Sequence, residues 1–220
     1  TSDFKMEGGE LNMCAAYRNG IDCTGLTMSS GKLDITVLGN DLYTGTGLIT
    51  TGAASFAGGS VKIQSDGDAV QCSSLSIQNG IESVKFVSNA NSEKDSNYFA
   101  VDASYVTLPT TRKTVVSDNA DGSESVDLPD NYTGNLAGKD YFEIVECWTI
   151  NGNISGVTST TKTIVGLYKS GSSTPMATIT VTGNGACTFE NVEAGSYTIK
   201  ATADGYLPVS KSFRIPSNTV

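Results

Sequence analysis

The segment Cys23-Thr-Gly-Leu26-Thr-Met28-Ser-Ser-Gly31 returns 49 residues later as Cys72-Ser-Ser-Leu75-Ser-Ile77-Gln-Asn-Gly80, with its cysteine, apolar and glycine positions matched. A third copy stands between them. Phe56-Ala-Gly-Gly59-Ser-Val61-Lys-Ile63 repeats Met28-Ser-Ser-Gly31-Lys-Leu33-Asp-Ile35 and divides the offset into steps of 28 and 21 residues. A strand, a glycine turn and a second strand at such intervals cannot bury an apolar face alone, so the copies must stack on one another. This predicts a short right-handed parallel β-helix with loops of unequal length. An antiparallel sandwich of similar hairpins is the alternative, and the matched Cys and Gly positions favour the stack.

No stretch keeps apolar residues at helical spacing for ten residues, and 24 Gly among short β-branched runs describe turn-rich strands, so the expected class is all-β. A weaker fourth coil is expected around Phe99–Val116, followed by a turn at Asp118-Asn-Ala-Asp-Gly122. The run from Tyr141 to Ile150 looks like a strand, yet neither of its alternating faces is cleanly apolar. The end of a stack exposes backbone donors and acceptors, so residues 130–155 or a second domain are expected to cover it. Asn151-Gly-Asn153 and the Ser/Thr run from Thr158 to Thr161 mark the boundary, giving a first domain over 1–157 and a second over 158–220.

From Lys162 the pattern changes to short alternating strands, as in Thr163–Tyr168, Ala177–Val181, Ser196–Ala201 and Ser212–Ile215, which predict a small antiparallel β-sandwich. Within it, Cys187-Thr-Phe189-Glu-Asn-Val192-Glu-Ala-Gly195-Ser-Tyr197-Thr-Ile199 and Asp204-Gly205-Tyr206 resemble the carboxypeptidase-regulatory-like, prealbumin-type domain. That resemblance implies a stalk or spacer of a secreted bacterial protein, with Tyr197 and Tyr206 structural. The coils Gly20–Gly31 and Ser65–Gly80 are similar to those of a clostridial cell-surface carbohydrate-binding family with a parallel β-helix fold and bound calcium. The family's Gly-Gly-Thr-Val turn stands here as Gly58-Gly59-Ser60-Val61, and the family continues for more coils.

The formal charge is −9, and it is uneven: residues 1–155 carry 9 basic and 20 acidic side chains, a net of −11, and residues 156–220 carry 5 and 3, a net of +2. Nucleic acid and anionic membrane surfaces need clustered Lys and Arg, which this chain lacks. No apolar run is long enough to cross a bilayer and no secretory signal opens the chain, so the expectation is a mature or trimmed soluble segment. With no His and no Cys-x-x-Cys pair, zinc and haem sites are disfavoured. Five cysteines leave at least one thiol unpaired. Most stand beside apolar strand residues and read as small buried hydrophobes, with one or two disulfides left open.

Asp66 and Asp68 flank a glycine, and hard oxygen ligands two residues apart let one loop wrap calcium. Asn19 and Asp22 hold the equivalent place in the first coil, so stacking would gather carboxylates and amides of neighbouring turns into one shared cation site. The plainer reading makes them turn residues bonding their own backbone. Sugar rings need exposed aromatic faces ringed by polar groups. Tyr43 and Tyr98 lie in polar loops with no core to enter, Tyr17 and Tyr132 have similar neighbours, and Trp148 is divided between platform and core packing. Catalysis has little to stand on: there is no His base, no Gly-x-Ser-x-Gly elbow, and no carboxylate pair that spacing singles out. The expectation is therefore an extracellular, secreted or surface-attached, non-catalytic module binding starch or plant cell-wall polysaccharide. A structural stalk, pilus or adhesin segment without glycan binding is the alternative.

Overall fold

The computed structural model describes residues 2–16, 18–39, 44–89, 98–110, 112–129 and 132–216, and among these the chain is all-β with no helix. By its internal contacts the chain divides into two units, Thr1–Val145 and Glu146–Val220.

The first unit holds β1 (Phe4–Ala15), β2 (Ile21–Cys23), β3 (Leu26–Val37), β4 (Leu48–Thr50), β5 (Ala53–Phe56), β6 (Gly59–Ser65), β7 (Val70–Ile77), β8 (Ile81–Ser88) and β9 (Val101–Thr107). It continues with β10 (Lys113–Ser117), β11 (Val126–Leu128), β12 (Thr133–Gly134) and β13 (Tyr141–Val145). Three parallel ladders run through them. One joins β2, β4, β7 and β9, with Ile21 on Leu48, Leu48 on Val70 and Val70 on Val101. A second joins β1, β3, β5, β7 and β9 through Phe4–Leu26, Leu26–Ala54, Ala54–Leu75 and Leu75–Val106. The third joins β1, β3, β6 and β8 through Leu11–Leu33, Leu33–Val61 and Val61–Val84. Each long strand thus serves two ladders in turn. Met28 pairs with Phe56 and Phe56 with Ile77, which are the 28- and 21-residue steps of the sequence repeat.

Alternation decides which side chains face inward, because successive residues of a strand point to opposite faces. Leu26, Met28, Leu33, Ile35 and Val37 of β3 are buried while Thr27 and Ser29 are exposed, and the same phase recurs in every rung. The inward positions form one continuous core in which Phe56, Phe86 and Phe142 lie ring against ring, with centroids 6.0 and 5.4 Å apart. Between the second and third ladders the chain turns at Gly31 and Gly59, whose φ of 99° and 83° an L side chain rarely adopts. A Cβ on Gly59 would overlap the Gly31 carbonyl oxygen, so the two rungs touch through bare backbone there.

The parallel progression stops at β13, which runs antiparallel to both β8 and β10. Tyr141 and Phe142 explain the unclean alternation of this region. Phe142 enters the core, while Tyr141 on the opposite face is buried with Val87 and Val115 in a second small cluster, its ring against Gly122.

The second unit holds β14 (Cys147–Ile154), β15 (Lys162–Lys169), β16 (Ala177–Thr182), β17 (Gly185–Glu193), β18 (Gly195–Ala203) and β19 (Val209–Ile215). They form a two-stranded antiparallel sheet, β14–β17, and a four-stranded antiparallel sheet ordered β16-β15-β18-β19. Val165, Leu167, Val181, Phe189, Val192 and Tyr197 form its core. Because β14 pairs with β17, residues 147–154 belong with this unit by their hydrogen bonds, ahead of the turn residues at 151–161 that marked the boundary in the sequence.

Candidate functional site

The corner that leads into the first ladder carries most of the expected cation ligands, and there they serve the backbone. Gly20 donates to the carbonyl of Thr46 and Gly47 to that of Asp68, so Asn19, Thr46 and Asp68 occupy one row on successive rungs. Asn19 Oδ1 accepts the backbone N–H of Thr46 at 3.1 Å, and Asp68 Oδ1 accepts that of Phe99 at 2.7 Å. Asp66 Oδ2 accepts the N–H of Gly39 at 2.8 Å. Each side chain therefore ties its own rung to a neighbouring one, where a corner leaves a donor without a ladder partner. Asp22 stands apart, exposed on β2 beside Ile49. Among the described residues no group of three or more His, Cys, Asp or Glu is placed to hold a metal ion.

Asp68 is buried, and burial pushes its carboxyl up to about 6 despite the Phe99 N–H, with Asp102 adding a smaller push in the same direction. Burial also raises the thiols of Cys23 and, to about 12, of Cys72. Cys14, Cys23, Cys72 and Cys187 are free thiols; Cys23, Cys72 and Cys187 are buried, and Cys14 is exposed.

The expected aromatic platform divides. Tyr43 and Tyr17 lie outside the described residues. Tyr98 accepts a hydrogen bond from Thr44 Oγ1 at 2.9 Å, which brings it beside the residue that follows Tyr43. Tyr132 packs its ring against the core of the first unit and donates its hydroxyl to the Asn135 carbonyl at 2.7 Å. Tyr98 precedes β9 and Tyr132 adjoins its far end, where Thr133 pairs with Thr107, so the two flank opposite ends of that strand. Trp148, half-buried, packs against the core of the second unit. Tyr197, expected to be structural, is 2% exposed and donates to the Glu193 carbonyl, whereas Tyr206 is 42% exposed.

The aromatic ring the sequence reading missed is Tyr105, 50% exposed on β9. It stands on the outer face of the second ladder, in register with Ser74 and Ala53 and, one residue before the Leu26–Ala54 pair, with Gly25. Beside this row runs another of Thr27, Ser55, Ser76 and Thr107. Thr24, Thr51, Ser73 and Ser104 form the turn on its other side, each a hydroxyl, with Thr51, Ser73 and Ser104 exposed. From the second rung to the last, residues 24–29, 51–57, 73–80 and 104–110 contain no charged side chain. The signal was available in the repeat: aligning Ala103-Ser-Tyr105-Val106 with Cys72-Ser-Ser74-Leu75 puts Tyr105 at an outward position.

No protein-family model, curated protein or solved structure matches this chain significantly.

Proposed function

We propose that this chain is a non-catalytic, extracellular polysaccharide-binding module, in which a short right-handed parallel β-helix carries the binding face and a small antiparallel β-sandwich serves as spacer. The observation that carries this reading is the outer face of the second ladder. Rows of Ser and Thr hydroxyls can donate and accept toward sugar hydroxyls, and the half-exposed Tyr105 ring offers an apolar plane to a pyranose. Parallel registers over five rungs support the β-helix, and the two facing antiparallel sheets of the second unit support the sandwich. The resemblances to a clostridial carbohydrate-binding family and to carboxypeptidase-regulatory-like domains belong to the same proposal. Calcium would act at the corner of Asn19, Asp66 and Asp68 by stiffening loops whose side chains already bridge rungs. Asp22, exposed on the first ladder, would contribute only by a movement of its strand.

A pull-down on insoluble starch, cellulose, xylan and pectin, with and without calcium, tests this reading. Retention on at least one glycan is expected; retention on none, in either condition, removes it. The second reading, a structural stalk, draws on one observation: Tyr132 and Trp148 are packed into their own units. It expects every glycan assay to be blank.

A further inference from the structure

The outer rows of the second ladder differ in height as well as in chemistry. Gly25, Ala53 and Ser74 present almost no side chain, while the flanking rows end in hydroxyls and the last rung ends in a tyrosine. Adjacent strands lie about 4.8 Å apart, so the three steps from Gly25 to Tyr105 form a shallow trough about 14 Å long that runs along the stack, across the strands. Its upper end meets Asp3, whose Oδ1 accepts from Thr24 Oγ1 at 2.6 Å, and Lys5, which is in register with Thr27 and paired with Glu7 at 2.6 Å. Its lower end is closed by the Tyr105 ring.

We propose that this trough binds an extended run of an uncharged polysaccharide, with Tyr105 as the residue that sets affinity; the inference rests on the polysaccharide-binding reading above. The charge pattern selects the occupant. Residues 1–155 carry a net of −11, yet the four segments that line the trough, 24–29, 51–57, 73–80 and 104–110, contribute no charge. A polyuronate or other anionic glycan would meet no cation along the trough except Lys5 at its end, which Glu7 already pairs, and a negative field around it. A neutral chain meets neither penalty, because hydroxyl-to-hydroxyl hydrogen bonds replace those each partner makes to water. An apolar peptide would leave the Ser and Thr rows desolvated and unpaired, which opposes its binding. The low floor admits the edge of a sugar ring between two hydroxyl rows, and Tyr105 can stack on a ring at the end of the run.

Affinity electrophoresis through gels containing hydroxyethylcellulose, glucomannan, soluble starch or polygalacturonate tests the trough, with the wild-type chain and Tyr105→Ala, Tyr105→Phe and Ser74→Arg variants. Both positions are on the outer face, Tyr105 exposed and Ser74 half-buried, and circular dichroism verifies that each variant folds. Retardation of the wild type by a neutral glycan is expected. Tyr105→Ala should weaken it at least about thirtyfold, as loss of a dominant aromatic contact does. Tyr105→Phe should stay within about threefold because the ring remains. Ser74→Arg should abolish retardation by filling the trough. If Tyr105→Ala binds like the wild type, the trough is overturned while glycan binding stands. Retardation by polygalacturonate alone overturns the neutral occupant. Absence of retardation in every gel removes the polysaccharide-binding reading, and the trough with it.

Discussion

Two glycines of the first unit share nearly the same positive φ and differ in what surrounds them, which isolates the energy of rung-to-rung contact. Gly59 has φ of 83° and Gly138 has φ of 82°. An alanine in this region is disfavoured by about 1–2 kcal/mol, offset by about 0.4–1 kcal/mol because alanine also restricts the unfolded chain. Gly138 has nothing within 4 Å of an added Cβ, so Gly138→Ala should destabilise by about 1 kcal/mol or less. At Gly59 the Cβ would overlap the Gly31 carbonyl oxygen and approach Gly31 N and Met28 Cε to 2.8 Å. Backbone atoms of the neighbouring rung cannot rotate aside, so the overlap adds about 1–3 kcal/mol. The difference of about 2 kcal/mol corresponds to a melting temperature about 4–8 °C lower for Gly59→Ala than for Gly138→Ala. Thermal melts followed by far-ultraviolet circular dichroism measure it. Melting points within about 1 °C of each other would refute the argument that stacked rungs meet through backbone at this corner.

Asp68 makes stability depend on pH. Its folded value of about 6 lies above the ordinary carboxylate range, so between about pH 4 and 6 the folded state binds more protons than the unfolded one. Stability should therefore fall as pH rises through that window, by on the order of 1–3 kcal/mol in Asp68's share, and Asp68→Asn should flatten the slope because an amide oxygen can still accept from Phe99 N–H. Urea unfolding at pH 4, 6 and 8 measures this, and an unchanged slope in the variant would contradict it. Ser65, fully buried, donates to the Gly45 carbonyl and accepts from Gly67 N–H at 3.2 Å. Gly67 N–H also donates directly to the Gly45 carbonyl at 3.1 Å, so Ser65→Ala removes a bridging hydroxyl and leaves that bond in place. It should destabilise by about 0.5–1.5 kcal/mol, against under about 0.5 kcal/mol for the exposed Thr27→Ala; equal urea midpoints would sink this account.

The stacking was legible in the sequence because inward positions repeat their chemistry. Leu26, Ala54, Leu75 and Val106 fill the same level of the core, as do Met28, Phe56 and Ile77, so apolar identity recurs at the register distances. The first rung escaped notice although Met6, Leu11 and Met13 pair with Met28, Leu33 and Ile35 at one constant offset of 22 residues, because it has Gly8-Gly9 and a local irregularity at Glu7 where the second rung has the single turn glycine Gly31. Residues 141–154 were opaque for a different reason. A run that breaks into β13 and β14 at Glu146 changes partners there, and one alternation cannot describe two sheets. Outward positions are free to vary, so nothing in Gly25, Ala53 or Ser74 announces a tyrosine on the next rung. The Asx residues at the corners illustrate the remaining ambiguity. Oxygen atoms spaced for a cation are equally spaced for a neighbouring rung's N–H, and local sequence does not distinguish the two.

Parallel pairing at these registers is the premise on which the shared face, the trough and the corner contacts all depend. Asp34 pairs with Lys62, and Lys62 with Lys85, on the outer face of the third ladder. In a Cys14→Ser background, Asp34→Cys combined with Lys62→Cys should form a disulfide readily under mild oxidation, since adjacent strands about 4.8 Å apart fall within bridging range. Asp34→Cys with Lys85→Cys, about 9.6 Å apart across two steps, should remain reduced. Mass spectrometry of the two variants reads the result directly; cross-linking of the second pair but not the first would contradict the stacked arrangement.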